Sequence, residues 1–218
     1  MTNKNFYKWD IHTHSGVSSL CSYEDPKNLV IAATRRGLSG FCITDHCPPY
    51  GRSVIPGFYL DTRQLAKEKG IHLILGREIK LTLDGKTNDF LIFHPNERAV
   101  FDYDIKFEDM SPRFVDEFRA SGGILILAHP WDEPNENLPI DAIETQNIRY
   151  GGEEFRCKTE FSRALPHTGG SDAHIFNDVG LCYTAFESRI ENSLDLIREI
   201  KKNKCRPAAS KRLFQGDI

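Results

Sequence analysis

Apolar, often β-branched stretches alternate along the chain with amphipathic ones, and each stretch predicts an element. Tyr7–Ile11 reads as a first strand, and residues 26–36 as a helix with Asp25 as its cap and Gly37 just past its end. GFCIT (residues 40–44) predicts a second strand, Asp61–Lys69 a helix, and HLILG (72–76) a third strand. LTLDGKTNDFLIF (81–93) predicts a hairpin that turns near Asp84-Gly85. Ser111 and Pro112 open the next helix, Phe114, Val115 and Phe118 share its face, and Gly122 stops it. ILILA (124–128) is a buried strand and DAIET (141–145) another, followed by a helix within residues 153–165. LCYTAF (181–186) is a late strand, and Ser193–Lys202 a closing helix with Leu194, Ile197 and Ile200 in register.

This alternation predicts parallel βα units, hence an α/β sheet or a closed barrel. No internal repeat, low-complexity run or linker interrupts residues 1–218, so one domain is expected. At 39% hydrophobic and 27% charged residues the chain is globular in composition rather than disordered. A formal net charge of −3 offers no general attraction to nucleic acid. The six cysteines (21, 42, 47, 157, 182 and 205) form no CxxC pair, and Cys42 and Cys182 sit in apolar stretches as buried thiols of a reducing compartment. MTNKNFYKWD lacks an apolar signal core and no apolar run approaches membrane-spanning length, so the expected location is the cytoplasm, away from membranes.

Chemistry gathers where the strands end. KWDIHTHS sets Asp10, His12 and His14 at alternating positions, which share one side of an extended chain. GFCIT runs into Asp45-His46, HLILGRE into Glu78, and ILILA into His129. Asp89 and His94 flank the FLIF strand, and HTGGSDAH ends on Asp172 and His174. Five of the eight histidines (12, 14, 46, 129 and 174) fall at such junctions, on the edge where α/β folds place active sites. His72, at a strand start, and His167, before Thr-Gly-Gly, read as structural. Imidazoles mixed with carboxylates suit Zn, Mn or Fe better than Ca or Mg, and this many donors exceeds what one ion needs. A cluster of two or three ions bridged by a carboxylate follows, and such clusters serve hydrolysis at phosphorus or carbonyl centres. The chain has no GxGxxG after a strand, no GxxxxGK[ST] and no GxSxG.

In order, WDIHTHS, GLSGFCITDH, LGREI, GGILILAHP, IETQN and HTGGSDAH resemble the PHP (polymerase and histidinol phosphatase) metallohydrolases, over Asp10 to His174. The resemblance implies a distorted (β/α)7 TIM-like barrel with two or three ions at the C-terminal ends of its strands. It implies that His12, His14, Glu78 and Asp172 hold a first ion, and that Glu78 bridges to a second that also takes His129. His46 and His174 would hold a third. A further donor to the second ion is implied after Glu78: strand position favours Asp89, chemical type favours His94. Asp10 and Asp45 are implied to orient the histidines from behind.

Many members carry His or Asp five or six residues after the second His of the HxH pair. Ser19 and Leu20 stand there, so the third ion is expected to bind most weakly. The implied activity is hydrolysis of a small phosphorylated metabolite or nucleotide by water that the metals activate. His46, Asp172 or His174 would assist proton transfer, and Arg52 and Lys80 are candidate grips on a phosphate oxygen, with a solvated charge as the alternative for each. Rival readings are C–N bond hydrolysis, exonuclease or proofreading work on DNA, and a metal-binding regulatory domain without turnover. The acidic balance argues against DNA, and intact Glu78, His129 and Asp172 argue against a silent domain.

Overall fold

The computed structural model describes residues 6–83, 85–102, 112–130, 137–149, 153–156 and 164–210. They form a mixed α/β fold on two sheets. In the first, β1 (Tyr7–Asp10), β2 (Gly40–Ile43) and β3 (His72–Leu75) run parallel, with α1 (Pro26–Arg35) and α2 (Leu60–Glu68) as crossovers. Asp25 caps α1 by accepting from the Lys27 N–H at 2.8 Å, Pro26 occupies the first turn, and Gly37 follows with φ +64°. The chain then leaves this sheet at Gly76, where any Cβ would stand 2.5 Å from Phe93 Cε1.

In the second sheet, β4 (Arg77–Leu83), β5 (Lys86–Phe93) and β6 (Ile124–Leu127) are antiparallel neighbours. Between β5 and β6 come α3 (Ala99–Asp102) and α4 (Pro112–Ala120). β7 (Ala142–Arg149) joins β6 in parallel and takes β8 (Glu153–Arg156) antiparallel and β9 (His167–Gly169) parallel. The chain returns to the first sheet with β10 (Cys182–Phe186), antiparallel to β1, then α5 (Ser193–Lys201) and β11 (Cys205–Ala209), antiparallel to β10.

Strand alternation divides the core. Phe90, Ile92, Leu125 and Leu127 pack under Val115 and Phe118 of α4. Their neighbours Leu91, Phe93, Ile124 and Ile126 turn the other way, onto Trp9, Ile11, Cys42 and Ile74 of the first sheet. Each such side chain contributes about 1.5–3 kcal/mol on burial, so both faces of the central strands are anchored.

Several expectations change. The predicted hairpin pairs antiparallel, and β6 with β5 and β10 with β1 are antiparallel too, so the sheets are mixed where the alternation predicts parallel βα units. No continuous ladder closes the two sheets into a barrel among the described residues; a parallel bridge between His46 and Glu78 joins them at the site. The hairpin's first arm begins at Arg77, not Leu81. Residues 153–156, expected to open a helix, are β8: pairing with Gln146–Arg149 overrides their helix-leaning Glu pair. The rest of that expected helix up to 163, Asp84 of the hairpin turn, and Ser111, lie outside the described residues. In α5 the buried face is Ser193, Leu196, Ile197 and Ile200, and Leu194 is exposed. No described helix is long and apolar enough to cross a membrane.

Candidate metal centre

After β1 the backbone is pinned on both sides, by His14 N–H to Ala173 O and Thr44 N–H to Thr13 O, each 2.9 Å. His12 and His14 are thereby fixed inward, fully buried. Their Nε2 atoms are 3.0 Å apart. Glu78 Oε2 lies 3.3 Å from His12 Nε2 and 3.1 Å from His14 Nε2, and Asp172 Oδ1 lies 3.3 and 3.0 Å from the same atoms.

The far sides of the rings fix the tautomers. His12 Nδ1 is 3.2 Å from both Glu144 oxygens, and His14 Nδ1 is 3.0 Å from Ser19 Oγ. With protons assigned to Nδ1, two nitrogen lone pairs and two carboxylate oxygens converge on one point. Only a cation makes that arrangement favourable, and donors about 3–3.5 Å apart match metal–ligand bonds of about 2.1 Å. The residues present fit a divalent ion.

Glu78 reaches two further corners. Its Oε1 is 3.3 Å from His129 Nε2, and Asp89 shares that group. Its Oε2 is 3.2 Å from His46 Nδ1, and nitrogens of His14, His46 and His174 lie within 4.8 Å of one another. Two site residues, His129 (φ 22°) and Asp172 (φ 53°), adopt the left-handed backbone that side chains disfavour, a strain typical of functional sites. Gly170 gives room to His12 and Glu144: a Cβ there would stand 2.4 Å from His12 Cβ and 2.6 Å from Glu144 Oε1.

Asp10 and Asp45 touch no imidazole, contrary to expectation. Asp10 gathers N–H groups of Ser171 (2.9 Å), Gly180 (2.7 Å) and His12 (3.3 Å) and the Ser171 hydroxyl (2.5 Å), so it aligns the backbones that carry His12 and Asp172. Burial outweighs these bonds and raises its pKa to about 6. Asp45 accepts from Ser15, Tyr59 and Ser19, and reaches His14 only through the Ser19 hydroxyl, at 2.9 Å. Ser19 is thus spent on orienting His14 rather than facing the third corner.

His94 is not brought to the centre. Its ring nitrogens meet Asn96 O at 3.1 Å and Ser121 O at 3.1 Å, and it packs on Phe118. Arg52 is exposed, its backbone N–H held by Ser18 O at 2.8 Å. Lys80 Nζ is no loose charge: it lies 2.9 Å from Asp89 Oδ1 and over the Tyr50 ring. The sequence reading missed Glu144. Fully buried in β7, it holds His12 Nδ1, the His129 N–H at 3.2 Å and Asn147 Nδ2 at 2.8 Å. A carboxylate inside the apolar DAIET run was the available signal.

Charge in the centre sets a pH dependence. Burial alone would lower the pKa of His14 and of His129, but Glu78 and Asp172 outweigh it and raise both to about 9. His12 is raised likewise: burial opposes, but Glu144, Asp172 and Glu78 prevail. His46 goes the other way, burial lowering it to about 4. In metal-free protein the raised groups contribute stability below pH 6.5, lost as pH rises through about 9, whereas His46 costs stability as pH falls from 6.5 towards 4. Chelated protein should therefore lose thermal stability as pH rises from 6.5 to 9. The gap in Tm between ion-loaded and chelated samples should widen from pH 6.5 to 9, as cations replace the protons. A gap that narrows over that range in thermal unfolding would contradict this charge balance.

The comparisons with known proteins agree with this geometry. Residues 10–136, more than half of the chain, match the family model of the PHP domain, and residues 161–205 match a PHP-associated model. The chain is 27% identical over 203 residues to a probable phosphatase of Photobacterium profundum, covering 78% of this chain and 80% of that protein. PsfC of Pseudomonas syringae has a similar structure, with a TM-score of 0.67 at 19% identity over 94% of this chain and 92% of that one. A two-domain protein of Bacteroides vulgatus containing a predicted PHP-like metal-dependent phosphoesterase has a TM-score of 0.58 at 20% identity, over 94% and 65%. At such identities the two structures speak for the fold alone. The family models, together with imidazoles and carboxylates converging on one buried glutamate, give the conclusion that the chain belongs to the PHP domain family of metal-dependent hydrolases.

Proposed function

We propose that the protein is a metal-dependent phosphoesterase of small phosphorylated metabolites or nucleotides, using two or three Zn, Mn or Fe ions. The observation that carries this reading is Glu78, one buried carboxylate within 3.3 Å of imidazoles at three corners. Divalent ions held there would lower the pKa of water and neutralise charge on phosphoryl oxygens. His12, His14, Glu78 and Asp172 would hold the first, Glu78, Asp89 and His129 the second, and His46 with His174 the third. His46 and His174 are 19% and 20% exposed where His12 and His14 are at 0%, so they border the entry and suit proton delivery to a leaving oxygen. Asp172 sits between the corners and suits alignment of the proton donors. Lys80, beside Asp89, suits a phosphate oxygen at the second corner, and Arg52 one at the rim.

The likeness to a probable phosphatase supports phosphorus over a C–N bond as the target. In the same reading residues 1–218 are one domain and the two sheets are halves of a distorted (β/α)7 barrel, supported by the parallel His46–Glu78 bridge. Thiols kept buried and reduced at Cys42, Cys47 and Cys182 support a cytoplasmic setting. The test is metal analysis after metal-supplemented expression, followed by assays on p-nitrophenyl phosphate, a panel of phosphorylated metabolites and simple amides. More than one ion per chain and chelator-sensitive phosphate release are expected. Fewer than one ion per chain, or turnover of amides in preference to phosphoesters, would overturn the reading.

A further inference from the structure

A buried cation without an acid lies behind the loop that carries His46. Arg77 precedes Glu78 in β4, and strand alternation sends its side chain away from the metal centre. It is 3% exposed, and no ion pair reaches its guanidinium among the described residues. Taking a charge out of water without a counter-charge is costly, so hydrogen bonds must offset it. The acceptors here all come from the loops that follow β1 and β2. Nε is 3.3 Å from Cys47 Sγ, and Nη1 is 3.0 Å from Ser18 Oγ. Nη2 is 2.9 Å from His46 O and 3.3 Å from Arg52 O.

We propose that Arg77 is a positioning residue of the hydrolytic site, a staple that ties both ends of the 46–52 loop to β4. It thereby holds His46 at its corner and Arg52 at the rim. The proposal rests on reading the centre as a multi-ion site. One nitrogen reaches the carbonyl oxygens of the first and last residues of the loop. Ser18 doubles the tie: its hydroxyl lies 3.0 and 2.6 Å from the same two oxygens, and its carbonyl accepts from the Arg52 N–H at 2.8 Å. The His46 N–H meets Ser19 Oγ at 3.0 Å, so the His46 backbone is held on both sides of its side chain.

Gly51 lets the loop ends meet, because a Cβ there would stand 1.8 Å from His46 O. A lysine in place of Arg77 would keep the charge but offer a point where four acceptors need a planar fork. Arg77 bonds only to the backbone of His46 and Arg52, so it acts through them rather than on substrate.

The test uses full-length Arg77→Lys and Ser18→Ala, the second deleting one hydroxyl and making the same comparison should the first unfold. Hydrogen exchange of metal-free protein, read by mass spectrometry, should quicken about tenfold over residues 46–52 and stay at the parent's rate in β5 and β6. Competition of Zn(II) against a chelator gives the second readout, with His174→Ala marking which equivalent belongs to His46 and His174. Affinity for that equivalent should fall about tenfold in both variants while the others keep theirs. Unchanged exchange over 46–52 in the folded variants, or zinc weakened alike at every equivalent, would overturn Arg77 as a positioning residue and leave the metal centre standing. A parent that binds no zinc would overturn the metallohydrolase reading and this proposal with it.

Discussion

Replacing Glu78 with glutamine is expected to cut hydrolysis by at least about a thousandfold while the protein stays folded. The side chain is buried, and its two oxygens face four imidazoles at 3.1–3.3 Å. Gln keeps the shape but withdraws the charge, and it turns an N–H₂ towards nitrogen lone pairs that need a cation. Two ions can share a carboxylate and cannot share an amide in that way. The fold survives because β4 is held by its backbone ladder to β5, from Arg77 opposite Ile92 to Leu83 opposite Lys86. Steady-state kinetics, ions per chain and circular dichroism on the same sample would check this. A variant as active as the parent would remove Glu78 from the role of bridge.

Glu144→Gln should act differently. The Glu144 oxygens never face the first corner's convergence point; they hold His12 Nδ1 and the His129 N–H from behind. A carboxylate in that place fixes the tautomer and raises the basicity of the ligating nitrogen, and its loss commonly costs about 10–100-fold in metal affinity. The amide of the variant can also turn its nitrogen to the ring and force the wrong tautomer. Competition titration against a chelator should show the weakened affinity, and saturating metal should restore most of kcat. Excess metal should restore nothing in Glu78→Gln. Unchanged affinity in Glu144→Gln would mean that His12 is oriented by its packing alone.

The contrast between these residues explains what could be read in advance. His12, His14, His46, Glu78, His129 and Asp172 stand where apolar runs stop, and a run that stops is visible in sequence. Glu144 lies within a run, and its partner His12 is 132 positions away, so no local pattern links them. Asp89 and His94 were separable only by register. Lys80 faces Asp89 across the hairpin and Glu78 faces Leu91, which puts Asp89 on Glu78's face, while His94 falls beyond the strand. The same blindness to pairing made residues 153–156 look helical and the sheets look parallel. Helix α1, whose cap and stop are both local, emerged as expected.

The centre straddles the seam opened at Gly76. His12, His14 and His46 come from the first sheet's edge, and Glu78, Asp89 and His129 from the second's. An ion bound between them is a rivet as well as a reagent. It closes loops of chain that otherwise meet through isolated bridges such as His46–Glu78 and Thr13–Ala173, much as a disulfide would, but reversibly and under the control of metal supply. Cells short of metal would then hold a protein that is looser as well as idle, and its lifetime against proteases would follow the same ions as its activity.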